Sequence, residues 1–160
     1  MGGALDAFLD QVGHLGDRLG GLLVQLPPSL RHDARTASTF FAMLRRRTGL
    51  PLACEPRHAS WFEPGVDALW TRYRVARVAA DPARLPAASV PGGDCSQWSY
   101  WRWHGSPRIY YSAYGEAALD ALAGALRGRS RPGAPAWCIL DNTAAGHAIP
   151  NAASLQAKTG

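Results

Sequence analysis

Residues 50–58, LPLACEPRH, decide how the rest of the chain is read. The run is apolar as far as Cys54 and then closes with Glu55, Arg57 and His58. A short apolar run bounded by proline reads as a strand buried on both faces, the kind that parallel sheets use. Working outward, the pattern recurs at LLVQLP (22–27), RVARVAAD (74–81), YWRWHG (100–105) and AWCILDN (136–142). Between these runs lie segments of helical period. In ALDAFLDQVGHL (4–15), Leu5, Phe8, Leu9, Val12 and Leu15 fall on one face. A second helix is predicted over 33–47, with Asp33 as its cap and Phe40, Phe41 and Leu44 as its apolar face. Further helices are predicted over 64–73, 115–127 and 151–159, and a Pro- and Gly-rich loop over 82–97. Strand and helix alternate, which predicts βα units and a parallel sheet in one domain covering 1–160.

Composition narrows the function classes. With 47% hydrophobic and 18% charged residues, the chain is that of a soluble globular domain. Six Trp, five Tyr and four Phe supply core surface and argue against disorder. No run of about 18 apolar residues exists, so a membrane span is not expected. Asp6 and Asp10 in the first segment do not fit a secretory signal. Cys54, Cys95 and Cys138 are widely spaced and form no C-x-x-C, which suits a reducing, cytoplasmic setting. The net charge is +5, carried almost wholly by arginine. Its one cluster, Arg45 to Arg47, reads as a solvated helix end rather than a phosphate patch. Nucleic acid is therefore a disfavoured partner. No P-loop or dinucleotide fingerprint is present.

Polar residues recur at the carboxyl end of every predicted strand. They are Gln25, then Glu55, Arg57 and His58, then Asp81, then Arg102 and His104, then Asp141 and Asn142. In a parallel α/β sheet these ends share one edge, where ligands bind. Side chains alternate with period two, so Glu55 shares a face with Arg57, and Arg102 with His104. That pattern predicts a site for a small anionic ligand. Glu55, His104 and Asp81 are its candidate catalytic groups. Gln25, Arg57, His58, Arg102, Tyr114, Asp141 and Asn142 are its candidate binding residues. The competing reading is an internal salt-bridge network of Glu55 with Arg57 or Arg102. Glu55, His58, Asp81, His104 and Asp141 are competent metal ligands, and their long spacing neither supports nor excludes a metal. The pattern leaves the cofactor undetermined. Trp101 and Trp103, interleaved with Arg102, fit either strand packing or a base-stacking surface, and packing is favoured. His14 and His32 are expected on the surface. Ser60 and Ser112 lack a nucleophile elbow.

Five segments together resemble a known family. They are LLVQLPPSL (22–30), CEPRHASWF (54–62), RVAADPARLP (77–86), YWRWHGSPRIYYSAY (100–114) and CILDNTAAGHAIPNAASL (138–155). In order and spacing they are similar to the domain-of-unknown-function 72, or YecE-like, family. The resemblance runs from about residue 5 to residue 157 and carries the positions above together with Ser60, Trp61, Gly105, Asn151 and Ala152. It implies a (β/α)8 TIM-type barrel, but no reaction. Family members are longer and start with further strands, so this chain is expected to be an incomplete barrel of about five of the eight βα units. Two open sheet edges would follow, inviting homo-oligomerisation. The functional expectation is an acid/base or hydrolase-type enzyme, or its truncated relic. The alternative is a non-catalytic binding or assembly module.

Overall fold

Prolines trim the strands. In the computed structural model, which describes residues 2–160, β1 is Leu22–Gln25, ahead of Pro27, and β2 is Leu52–Glu55, between Pro51 and Pro56. A proline cannot donate to the sheet ladder, so the longer runs read from the sequence stop at these rings. The predicted strand 74–81 divides at Val78 into β3 (Val75–Arg77) and β4 (Ala79–Asp81). β5 (Gly92–Gly93), β6 (Ser99–Trp103) and β7 (Ala136–Leu140) follow. The helices are α1 (Gly2–Gly13), α2 (Ala34–Arg45), α3 (Asp67–Tyr73), α4 (Glu116–Arg129) and α5 (Ala148–Thr159). α5 starts before the predicted residue 151, with Pro150 in its first turn, where a missing N–H costs nothing.

The α/β expectation holds, but the sheet is mixed and split. One sheet runs β1-β2-β3-β5 and the other β4-β6-β7. All pairings are parallel except β3 with β5, a short antiparallel pair inside the stretch 82–97 predicted to be loop. Val78 is the switch: its N–H donates to the Cys54 carbonyl at 2.8 Å, and from Ala79 onward the chain pairs with β6. No closed barrel is found among the described residues. The wall nevertheless curls. Trp137 on β7 lies against Gly20, just ahead of β1, and a Cβ on Gly20 would meet its ring at 2.5 Å.

Two faces result. On the helix side, Leu22, Leu52, Cys54 and Val75 pack with Phe41, Leu44, Trp70 and Tyr73 of α2 and α3. Ala79, Trp101, Leu119, Leu122 and Leu155 form a second core under α4 and α5. Trp101, 3% exposed, is a core residue, and the base-stacking reading of that strand falls with it. On the inner side, Ala53, Ala76, Val78, Trp98 and Tyr100 make a floor. The Trp98 indole N–H donates to the Leu52 carbonyl at 3.0 Å, satisfying its one polar atom in the apolar layer.

Asp33 caps α2 as its sequence predicts, accepting from the Thr36 N–H at 2.8 Å. Arg45 departs from expectation. It is no solvated helix end: its guanidinium donates to the carbonyls of Tyr73 (2.6 Å), Leu50 (2.6 Å) and Arg74 (2.5 Å). The group thus satisfies carbonyls left free at the end of α3. His32 also differs, since its ring packs edge-on to Trp61 at 4.8 Å with Nε2 buried.

The inner floor leaves no room beside Gly21, where a Cβ would lie 2.5 Å from the Trp98 ring and 2.8 Å from the Pro51 carbonyl oxygen. Gly21→Ala is expected to cost about 1–3 kcal/mol, the usual range for overpacking. Urea denaturation checks this. A midpoint equal to that of the unsubstituted chain would show that Trp98 is not held there.

Candidate functional site

Register brings the strand ends together. Gln25 is level with Glu55 across β1 and β2, and Asp81 with Trp103 across β4 and β6. The polar residues that follow therefore meet at one rim. Period two then decides which of them point inward. Gln25, Glu55, Arg102, His104 and Asp141 do, joined by Arg57 from the segment after β2.

Arg102 is the centre. Its Nη1 donates to Gln25 Oε1 at 2.6 Å and to Glu55 Oε2 at 2.5 Å, and its Nη2 pairs with Asp141 Oδ2. Arg57 adds Nε at 2.9 Å and Nη2 at 2.8 Å to Glu55 Oε1. Glu55 is 3% exposed. Burial alone would raise its carboxyl, but His104, Arg102 and Arg57 outweigh that and hold it at about 2. Glu55 is thus an ionised anchor for two guanidiniums. The desolvation cost of burying Arg102 is likewise outweighed by Glu55 and Asp141, which raise its guanidinium further.

His104 sits between the carboxylates. Its Nδ1 is 3.0 Å from Asp141 Oδ2 and its Nε2 is 3.5 Å from Glu55 Oε1. Neither contact is aligned as a hydrogen bond, and both ring nitrogens are buried without a partner. A buried imidazole left unsatisfied is costly in a purely structural role. Tyr110 lies edge-on to this ring at 6.1 Å. Its backbone has φ of 69°, a left-handed conformation uncommon for an aromatic residue. The Tyr110 N–H donates to the His104 carbonyl at 2.5 Å, and its own carbonyl accepts from Ala144 N–H at 3.1 Å, pinning that conformation. Beside His104 opens a cavity of about 70 Å³ that Glu55, Arg57, Arg84 and Tyr110 also line.

The other predicted site residues stand apart. Asp81 accepts from the Tyr114 hydroxyl at 2.8 Å, and that hydroxyl accepts from the Gly105 N–H at 2.8 Å. Burial and the Asp81 contact push the Tyr114 phenol well above its ordinary range. Asn142 is fully buried and donates to the Ser112 carbonyl (3.1 Å) and to Asn151 Oδ1 (2.9 Å), while Asn151 holds the main chain of Tyr114 at 3.0 Å both ways. Gly105, at φ of 96°, lies where a Cβ would press on Asn142. These residues fasten the loop after β6 to α5. His58 caps the 3-10 turn Ala59–Phe62, with Nδ1 accepting from the Ser60 N–H at 3.2 Å and lying 2.9 Å from its hydroxyl. Glu55, His58, Asp81, His104 and Asp141 do not gather as a metal-ligand cluster, and no such group occurs among the described residues. The cysteines are all free. Burial pushes the Cys54 thiol far up and that of Cys138 up to about 12.

Neither Arg84 nor Tyr110 is singled out by the sequence pattern. Both reach the cavity from loops, and loops carry no periodicity to read. The proline-rich composition of 82–97 was the one available sign.

A curled α/β sheet with a buried ion-pair network at its strand ends is the class of protein these observations define. The model of the family described as "Protein of unknown function DUF72" matches residues 2–160, and the chain belongs to that family. No curated protein matches it. Its fold is similar to that of a DUF72 family protein from Enterococcus faecalis V583, with a TM-score of 0.81 and 20% identity, covering 99% of this chain and 66% of that one. A DUF72 family protein from Thermotoga maritima MSB8 gives a TM-score of 0.74 at 22% identity, covering 95% and 62%. The chain thus spans roughly two thirds of the length of these relatives. No helix among the described residues is long and apolar enough to cross a membrane.

Removing one partner of a buried ion-pair cluster typically costs about 3–5 kcal/mol. Arg102→Met, which removes the guanidinium that pairs with Asp141 and one of the two that pair with Glu55, is expected to fall in that range by chemical denaturation. The acid limb follows from Glu55, whose folded value of about 2 lies below its ordinary 4.5. Its contribution is full above about pH 4.5 and is lost as pH falls toward 2. Denaturation midpoints between pH 6 and pH 2 should therefore drop less in Glu55→Gln than in the unsubstituted chain.

Proposed function

We propose that the rim of the curled sheet binds a small anionic molecule and that His104 exchanges a proton with it. The carrying observation is the buried His104 ring, set between the Asp141 and Glu55 carboxylates with no aligned hydrogen bond to either, beside a cavity that Arg57 and Arg84 flank. In this reading Arg57 attracts the anion. Glu55, ionised, fixes Arg57 and Arg102. Asp141 and Gln25 complete the restraint on Arg102. Asp81 and Tyr114, coupled at 2.8 Å, together with Asn142, set the loop that carries Tyr110 over His104. His58 acts on that arrangement indirectly, by holding the turn after Arg57. Imidazole is suited to general acid/base work near neutral pH. An acid/base or hydrolase-type enzyme of cytoplasmic type is the activity class this supports.

The architecture belongs to the same proposal. Six parallel strands curling about one rim, β3 and β4 being two parts of one run, are read as five units of a TIM-type barrel, as a single domain over 1–160. The similarity to longer relatives and the approach of Trp137 to Gly20 support this. One observation favours a second reading, an assembly module. Leu23 on β1 and Trp137 and Ile139 on β7 are 36–39% exposed, and these strands end the two sheets. Apolar side chains beside unpaired strand edges favour association with further chains.

The binding reading is tested by isothermal titration with small oxyanions, alongside nitrogen-15 spectra of the histidine ring. Anion binding should shift the His104 signals, and Arg57→Ala should weaken it by about tenfold or more, as loss of a charged hydrogen bond does. Unmoved His104 signals at saturating anion would refute the reading. Sedimentation analysis tests the second one: a monomer at all concentrations argues against assembly through these edges.

A further inference from the structure

The cavity beside His104 has more character than an anion site requires. Its lining carries two guanidiniums, Arg57 and Arg84, against one carboxylate, Glu55. Glu55 stays ionised because Arg102 and Arg57 hold it so. Arg102 pairs with both Glu55 and Asp141, so Arg57, Arg84 and Arg102 stand against two carboxylates and leave a single net positive charge. One negative charge balances it; a second would face Glu55 with no cation left. Arg57 spends Nε and Nη2 on Glu55, which leaves Nη1 without a carboxylate partner. Arg84 is exposed and pairs with no carboxylate among the described residues. Its fork is therefore unspent. Guanidinium forks grip planar carboxylates with two parallel hydrogen bonds.

The remaining wall is apolar. Phe62, Val78, Leu85 and Ile109 line it, and Val78 belongs to the inner floor. A volume of about 70 Å³ admits a small molecule only. A highly hydrated phosphate group would leave that wall unused and bring too much charge. A short alkyl chain would be dried by it. The ring of His104, 5% exposed, supplies a polar point next to Arg57, since both approach Glu55 Oε1.

We propose that the site takes a short aliphatic monocarboxylate bearing one further polar group. The carboxylate sits at Arg84 and Arg57, the alkyl part lies along Phe62 and Leu85, and the polar group meets His104. The inference rests on the anion-site reading above and adds the class of ligand and the part of Arg84. It assigns Arg84 as a specificity residue, since that side chain holds nothing else in the fold.

Titration calorimetry on the full chain with three probes tests this: 2-hydroxybutyrate, butyrate and inorganic phosphate. The hydroxy acid should bind most tightly and butyrate about tenfold more weakly, as loss of one hydrogen bond to a buried partner predicts. Phosphate should bind weakest. Arg84→Ala should lower affinity for the hydroxy acid by about tenfold or more, with the melting temperature unchanged. His104→Ala should bring the two carboxylates to equal affinity. Should that variant fail to fold, a histidine signal shift larger at saturating 2-hydroxybutyrate than at saturating butyrate makes the same test. Phosphate binding as tightly as the hydroxy acid, equal affinities for the two carboxylates, or indifference to Arg84→Ala overturns the ligand class and leaves the anion site standing. No binding by any of the three overturns both.

Discussion

One guanidinium holds this molecule's rim in shape. Arg102 stands on β6, yet its hydrogen bonds reach Gln25 on β1, Glu55 on β2 and Asp141 just beyond β7. A parallel sheet twists but has no inherent reason to bring its outer strands toward one another. A rigid, permanently charged fork with acceptors on three other elements gives it one. The cost is the removal of charges from water, and it is met because each partner is itself paired. His104 is the exception within the cluster: it lies between the two carboxylates that arginine pairs with, at 3.0 Å from Asp141 and 3.5 Å from Glu55, without an aligned hydrogen bond to either.

Structure and candidate chemistry are separated by face. Side chains pointing toward the helices fill two apolar cores, one under α2 and α3 and one under α4 and α5. Those pointing inward grade from the aromatic floor of Trp98 and Tyr100 to the charged rim. Cys54 and Glu55 are chain neighbours on opposite faces, one a buried hydrophobe with its thiol pushed up by burial, the other an anion held down by arginines. Alternation along a single strand thus sets two opposite environments within a few ångströms.

How much of this is legible in the sequence depends on the range of the interaction. The α2 cap at Asp33 is local and was readable, as was the shared face of Glu55 with Arg57 and of Arg102 with His104. The convergence of Gln25, Glu55, Arg102 and Asp141 follows from strand register, which the repeated pattern of apolar run and polar end encodes. Arg45 could not be read, because the carbonyls it satisfies lie as many as 29 residues away and leave no side-chain signature. The break at Val78 was equally silent: RVARVAAD is uniformly strand-like, and only the competition between β2 and β6 for its ladder divides it. Arg84 and Tyr110 depend on loop paths, which composition marks as loops without giving their course. Asp81, His58 and Asn142 show the converse limit, since a polar residue at a strand end can serve the scaffold as readily as a ligand.

The division at Val78 bears on how the chain comes apart. Each sheet has its own helices and its own apolar core, and the backbone crosses from the first to the second at Val78, returns to the first as β5 and crosses again to β6. Such a layout favours two cooperative blocks that open at different free energies. Across the seam, apart from the inner floor, the strongest tether is the reach of Arg102 from the second block to Gln25 and Glu55 of the first. Protonating or stripping that tether would let the blocks exchange amide hydrogens independently, so that the rim governs whether the polypeptide melts as one body or as two.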